Sequence, residues 1–172
     1  MSLLSRLFGP RRDQSDALRP LWQRVVSIAR EQGWYAKGGV ADSVAGRFDV
    51  LTLVLSLVLL RMERESALIE PSARLTERFV EDIEGQLREQ GIGDPALGKR
   101  MGGLMGALGG RIGALREALA GSDGTALVEA VERNVTFGSA GDPAWVAGEL
   151  RALAAGLAGL TNEQLLAGEI AR

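Results

Sequence analysis

The longest apolar stretch of the chain is "VLTLVLSLVLL", residues 50–60. Its two polar members, Thr52 and Ser56, stand four residues apart, and Asp49 and Glu63 extend the same ridge. A single polar ridge on an otherwise apolar helix marks a central helix enclosed by others. The run falls short of the roughly 20 apolar residues that cross a bilayer, so it reads as core rather than as a membrane span.

Around it, apolar positions recur at helical spacing, and no segment alternates as a strand would. A first helix is predicted over 17–32, with Asp16 as cap, Pro20 in its first turn, and Leu21, Val25, Ile28 and Ala29 on its buried stripe. The stretch "GWYAKGGVADSVAGR" reads as a loop, with Gly38-Gly39 as a turn. The central helix is predicted over 46–66. Pro71 then opens a helix with Leu75, Phe79, Ile83 and Leu87 on one side and Glu77, Glu81, Asp82, Glu84 and Arg88 on the other. Further helices are predicted over 94–119 and 125–134. Another opens at Asp142-Pro143 and carries Trp145, Leu150, Leu153 and Leu157. Thr161 with Gln164 forms a capping box for a short last helix. The sum is an all-α, single compact domain of about six or seven helices over 16–172, preceded by a basic, flexible arm over 1–15.

Composition removes most catalytic options. With neither His nor Cys among 172 residues, imidazole and thiolate catalysis, and the metal and haem sites built on those ligands, are excluded. The net charge of −2 argues against a nucleic-acid partner. The charge is uneven: residues 1–30 hold six Arg against Asp13 and Asp16, whereas residues 62–90 hold eight acids against four Arg. Beside Arg6, Arg11 and Arg12, the apolar Leu3, Leu4, Leu7 and Phe8 could also serve as a membrane-surface arm.

The stretch "LREQGIGDPALGKR", residues 87–100, resembles a P-loop in spacing: Gly93, Gly98 and Lys99 match, but Arg100 replaces the required hydroxyl residue. Pro95 also removes a backbone N–H from a loop that works by donating them. A helix corner accounts for every residue instead. Gly91 is a left-handed stop, and Ile92 folds back on Leu87. Gly93 allows the turn, Asp94 caps the next helix, and Pro95 takes its first position.

That next helix carries Gly98, Gly102, Gly106 and Gly110 at intervals of four, with Gly103, Gly109 and Gly113 nearby. Each interior Gly costs about 0.8–1.0 kcal/mol against Ala. Close packing on the central helix is one way to repay this. A pliable groove for an incoming helix, lined by Met101, Leu104, Met105 and Leu108, is the other. The acidic cluster at Glu77, Glu81, Asp82 and Glu84 lacks His partners and reads as a solvated face, not a metal site. Trp34, Tyr35 and Phe48 flank the Gly-rich loop, either as contact hot spots or as core.

The segments "GVADSVAGRFDV" and "FVEDIEGQLREQGIGD", with "WY" before them and "GKRM" and "GGRIGALREAL" after, resemble the ubiquinol-cytochrome c chaperone family. The resemblance implies a non-enzymatic, cofactor-free assembly factor of the cytochrome bc complex. It implies newly made cytochrome b as client, with another assembly factor as a second partner. Its motif positions are Asp42, Ser43, Gly46, Arg47, Phe48, Arg88, Glu89, Gly91, Gly93, Asp94, Lys99 and Arg111. With Trp34 and Tyr35 these are the candidate contacts, while Gly46, Gly91, Gly93 and Pro95 serve as turn positions. The expected location is the cytoplasm, with peripheral contact at the inner membrane. A peripheral lipid-binding helical module is the alternative reading.

Overall fold

A computed structural model describes residues 17–121 and 124–172. The expected cap Asp16 and the arm over 1–15 lie outside the described residues. The chain folds as one all-helical domain. Among the described residues the helices are, in chain order, α1 Arg19–Ala29, α2 Gln32–Ala36, α3 Val44–Met62, α4 Ile69–Glu89, α5 Asp94–Ala120, α6 Gly124–Asn134, α7 Pro143–Ala158 and α8 Asn162–Leu166. A 3-10 turn, Ser66–Leu68, precedes α4.

Helix α3 is the axis. It packs against α1, α4, α5 and α7, and every residue from Thr52 to Leu59 is buried. Its two hydroxyls need no outside partner. Thr52 Oγ1 donates to the carbonyl of Phe48 at 2.9 Å, and Ser56 Oγ to that of Thr52 at 2.6 Å. Helices α6 and α7 pack together, α6 also lies on α5, and α8 closes against α1. No helix among the described residues is long and apolar enough to cross a membrane.

Several boundaries differ from the sequence expectation for local reasons. Glu31 is extended, which ends α1 before residue 32. The segment expected to be loop then opens with α2, because Trp34 is fully buried and its Nε1 donates to the Ile28 carbonyl at 2.8 Å. Ser43 caps α3, its Oγ accepting from the Gly46 N–H at 3.2 Å, so the helix starts at Val44 rather than 46. It stops at Met62, not 66, as the chain turns through extended Glu65. The last two helices open where expected: Asp142 Oδ1 accepts from the Trp145 N–H at 2.9 Å, and Thr161 and Gln164 form a full capping box.

The two interhelical loops near the start of α3 are braided together. Val40 and Phe137 form an isolated antiparallel bridge, and Ala41 N–H donates to the Thr136 carbonyl at 2.9 Å. Gly39 makes the braid possible: it has φ 63°, and a Cβ there would stand 2.0 Å from the Ala140 carbonyl oxygen.

The glycines of α5 do not pack on α3, contrary to the first of the two readings above. A Cβ added at Gly98, Gly102, Gly103, Gly106, Gly109, Gly110 or Gly113 would meet no heavy atom within 4 Å. The buried stripe of α5 is instead Leu97, Leu108, Arg111, Leu115 and Ala118. From Leu108 on those residues recur at intervals of three and four, and Leu97 lies three turns before Leu108, which turns the glycines onto the outward faces.

Candidate functional site

A cleft of about 710 Å³ opens between α1, the start of α3, the second half of α4 and the first half of α5. Its lining is mainly apolar: Trp22, Val26, Phe48, Leu51, Ile83, Leu87 and Leu104. Trp22 and Phe48 are held there by ring contacts to the fully buried Phe79, at centroid distances of 6.2 and 6.3 Å. Val44, in the first turn of α3, stands at the cleft and is 80% exposed. A volume in this range suits a few large side chains of a ligand or peptide.

Behind the cleft lies a buried ion pair. The Arg111 guanidinium on α5 donates to Asp49 Oδ1 on α3, to Thr52 Oγ1 at 3.0 Å, and to the Asn134 carbonyl at 2.9 Å. The other carboxylate oxygen of Asp49 accepts from the Thr136 N–H at 2.8 Å. Arg111 also sits over the Phe48 ring, 5.5 Å from its centroid. Burial pulls the Arg111 pKa below its usual range, while Asp49 opposes that shift. A guanidinium keeps its proton regardless. Its Nε is buried with no hydrogen-bond partner.

The network ties three elements to the cleft wall: α3 through Asp49 and Thr52, α5 through Arg111, and the segment after α6 through Asn134 and Thr136. The ridge of Asp49 and Thr52 was visible in the sequence, and a carboxylate on a buried helix demands a cation. What the sequence did not show was which Arg supplied it, and that the loop after α6 completed the set.

The other motif residues divide by location. Tyr35, Arg47 and Phe48 line the cleft with Arg111. Tyr35 donates its hydroxyl to the Ala29 carbonyl at 2.8 Å, and burial raises its pKa, with nearby Arg47 opposing. Arg47 pairs with Asp42 at 2.7 Å on the surface. That hydrogen bond lowers the Asp42 pKa and raises that of Arg47. Trp34 is not at a contact surface. It is fully buried, stacked edge-on against Trp145 at 6.0 Å, with Arg172 over its ring at 4.4 Å. Gly46 is not a turn residue either. It lies inside α3, where a Cβ would stand 2.0 Å from the Ala41 carbonyl oxygen.

The corner at residues 87–95 is a Schellman stop. Gly91 has φ 81°, the Ile92 N–H donates to the Leu87 carbonyl at 3.2 Å, and the Gly91 N–H to that of Arg88 at 2.9 Å. Two details differ from the expectation. Gly93, not Asp94, is the cap residue of α5, with φ −78° in the extended region open to any residue, and Pro95 sits within the first helical turn. Asp94 instead accepts from Arg88 Nη1 at 2.8 Å, and Arg88 also pairs with Glu84 at 2.9 Å. Those two acceptors raise the Arg88 pKa, Glu84 more than Asp94. The clamp spans the corner outside the cleft. Glu89 and Lys99 are exposed, and no described residue forms an ion pair with them.

Residues 36–172 match the family model described as ubiquinol-cytochrome C chaperone. The chain belongs to the ubiquinol-cytochrome c chaperone family. A crystal structure of the Cbp3 homolog from Brucella abortus superimposes with a TM-score of 0.77 at 31% identity, covering 98% of this chain and 95% of that one. No curated protein sequence gives a significant match. The matched region contains α3 to α8 and hence both partners of the Asp49–Arg111 pair. The family is one of chaperones rather than enzymes. Among the described residues no acidic group is arranged to hold a metal ion.

Cleft-lining residues outside the named motif positions escaped the sequence reading. Trp22 lines the cleft and donates its indole N–H to Asp82 Oδ2 at 2.7 Å, so the acidic face of α4 contributes one carboxylate to the inside of the fold. Arg30, Gln86, Gln90 and Arg100 also line it. Only the shared helical face of Arg100, Leu104, Ala107 and Arg111, spaced by three or four, could have signalled them.

Proposed function

We propose that this chain is an assembly chaperone of the ubiquinol-cytochrome c reductase (cytochrome bc) complex and that it holds newly made cytochrome b through the cleft between α1, α3, α4 and α5. The observation that carries the reading is the open, apolar-lined cleft of about 710 Å³ in a member of this family. An unassembled membrane subunit exposes apolar helices that water does not tolerate. A groove walled by helices can lend such a segment a temporary partner surface.

The outward glycine faces of α5 fit the same task. Backbone without Cβ atoms allows an incoming helix to approach more closely than larger side chains would permit. The lined wall of α5 and its bare glycine faces are adjacent on one helix. A second assembly factor is the expected co-partner, and the working site is the cytoplasmic face of the inner membrane.

Affinity capture tests this. Tagged protein recovered from cells synthesising the complex should carry cytochrome b, and deletion should deplete the assembled complex. Normal complex levels in the deletion strain would refute the assignment. Liposome flotation with and without residues 1–12 tests the lipid-module alternative. Binding that depends on the arm and leaves complex levels unaffected by deletion would favour that alternative.

A further inference from the structure

The charges around the cleft are unequal in a way that specifies its occupant. Both carboxylates in its lining are engaged: Asp49 by Arg111, and Asp82 by the Trp22 indole. Two of its four guanidiniums are engaged as well, Arg111 by Asp49 and Arg47 by Asp42. Arg30, at the end of α1, and Arg100, on α5, are exposed and have no carboxylate partner among the described residues. Among the described residues, the cleft therefore offers an apolar floor and two cations without a carboxylate partner. Gln86 and Gln90 on α4 add exposed amides that no described residue engages.

We infer that the cleft is selective for an apolar helical segment that carries carboxylates at the edge of its apolar face, read by Arg30 and Arg100. The inference rests on the proposed client site and adds the chemistry of the client. Apolar burial supplies affinity, and the two cations supply orientation and discrimination, because a basic segment of equal hydrophobicity would meet like charges. Guanidiniums suit this role: their planar donors match a carboxylate, and they stay charged at any physiological pH. A purely apolar helix would leave both cations facing apolar surface and would bind less well.

The test uses three synthetic leucine/alanine helices that differ only in two positions flanking the apolar face, occupied by Glu, Gln or Lys. Their binding to the full chain is read by fluorescence anisotropy. The Glu peptide should bind about tenfold tighter than the Lys peptide, and the gap should narrow as salt is raised. In Arg30→Glu/Arg100→Glu the preference should reverse. Both side chains are exposed, so the thermal midpoint and circular dichroism of this variant report whether the fold is intact. Should it fail to fold, Arg30→Gln/Arg100→Gln should abolish the preference without reversing it.

Equal affinity for all three peptides overturns the inference, as does a preference untouched by the substitutions. Self-association lost on Arg100→Glu would make a second copy the occupant. Anionic-vesicle binding lost in the double variant, with peptide preference unchanged, would make it a lipid surface. Either result also overturns the inference. If wild type and charge-reversed protein capture cytochrome b equally, the client site stands and its acidic selectivity falls. If neither captures it, the proposed function itself falls.

Discussion

Arg111 reaches from α5 to Asp49 on α3 in the buried interior, where both side chains are about nine-tenths shielded from water. Asp49 is the one carboxylate on α3, the apolar axis of the fold. Its further bonds to Thr52, Asn134 and Thr136 satisfy both carboxylate oxygens and two of the three guanidinium nitrogens. Removing one partner strands the other charge in a medium that cannot solvate it. Arg111→Ala should therefore lose about 3–5 kcal/mol in urea unfolding. The paired change Asp49→Leu/Arg111→Met should recover much of that loss. Equal losses in the single and double variants would show that the bond lattice, rather than the stranded charge, sets the cost.

The glycine faces of α5 make a prediction of the opposite sign. Gly102, Gly106 and Gly110 are helical, and a methyl group at each enters open space. Replacing each with Ala should raise stability, by up to about 0.8–1.0 kcal/mol per site. If the bare backbone is there for close helix approach, Gly102→Ala/Gly106→Ala/Gly110→Ala should be more stable than wild type yet retain less cytochrome b on capture. A gain in stability with undiminished capture would assign these glycines no part in client contact. Gly39→Ala should do the reverse of the α5 changes and destabilise, since its φ of 63° and the Ala140 carbonyl 2.0 Å from a new Cβ leave no room.

How much of this was legible beforehand follows from physical range. The α1 stripe, the Asp142-Pro143 helix opening and the Thr161–Gln164 box are local patterns and lie where the sequence put them, and the central helix lies within two to four residues of its expected bounds. The Gly91 stop was likewise readable from one residue type at one position. Trp34 was ambiguous because an aromatic beside glycines looks the same in sequence whether it faces solvent or core. The Trp145 ring that covers it lies on α7, more than a hundred positions away. The Asp94 cap failed for a similar reason: Arg88 competes for the carboxylate at 2.8 Å, a contact that exists only once the corner is folded. The cleft was the least legible part, because its walls come from separate helices, and Arg30 and Arg100, which have no carboxylate partner among the described residues, are not among the named motif positions.

The surface pair at Asp42 and Arg47 gives a pH prediction. The hydrogen bond from Arg47 holds the Asp42 carboxyl below its ordinary value of 3.8. The folded protein thus binds this proton later than the unfolded chain does. The linked contribution to stability is present above the unfolded pKa, and it is lost as pH falls from about 3.8 through the lower folded value. An NMR titration should place the Asp42 midpoint below 3.8, and Arg47→Gln should move it back upward. A midpoint insensitive to Arg47→Gln would mean that the pair does not persist in solution.

Val44 offers the cleanest separation of folding from binding at the cleft. It is 80% exposed in the first turn of α3, so the fold gains almost nothing from its side chain. Val44→Asp should change the unfolding free energy by no more than about 0.5 kcal/mol, and an acid in the first turn of a helix is if anything favourable. An apolar client lying in the cleft would lose a contact and meet a carboxylate. Against an acidic client segment the new charge would be repulsive as well. Capture of cytochrome b should fall at least severalfold, and the steady-state level of the assembled bc complex should fall with it. Wild-type capture by a folded Val44→Asp protein would move the client off this edge of the cleft, toward the glycine faces of α5.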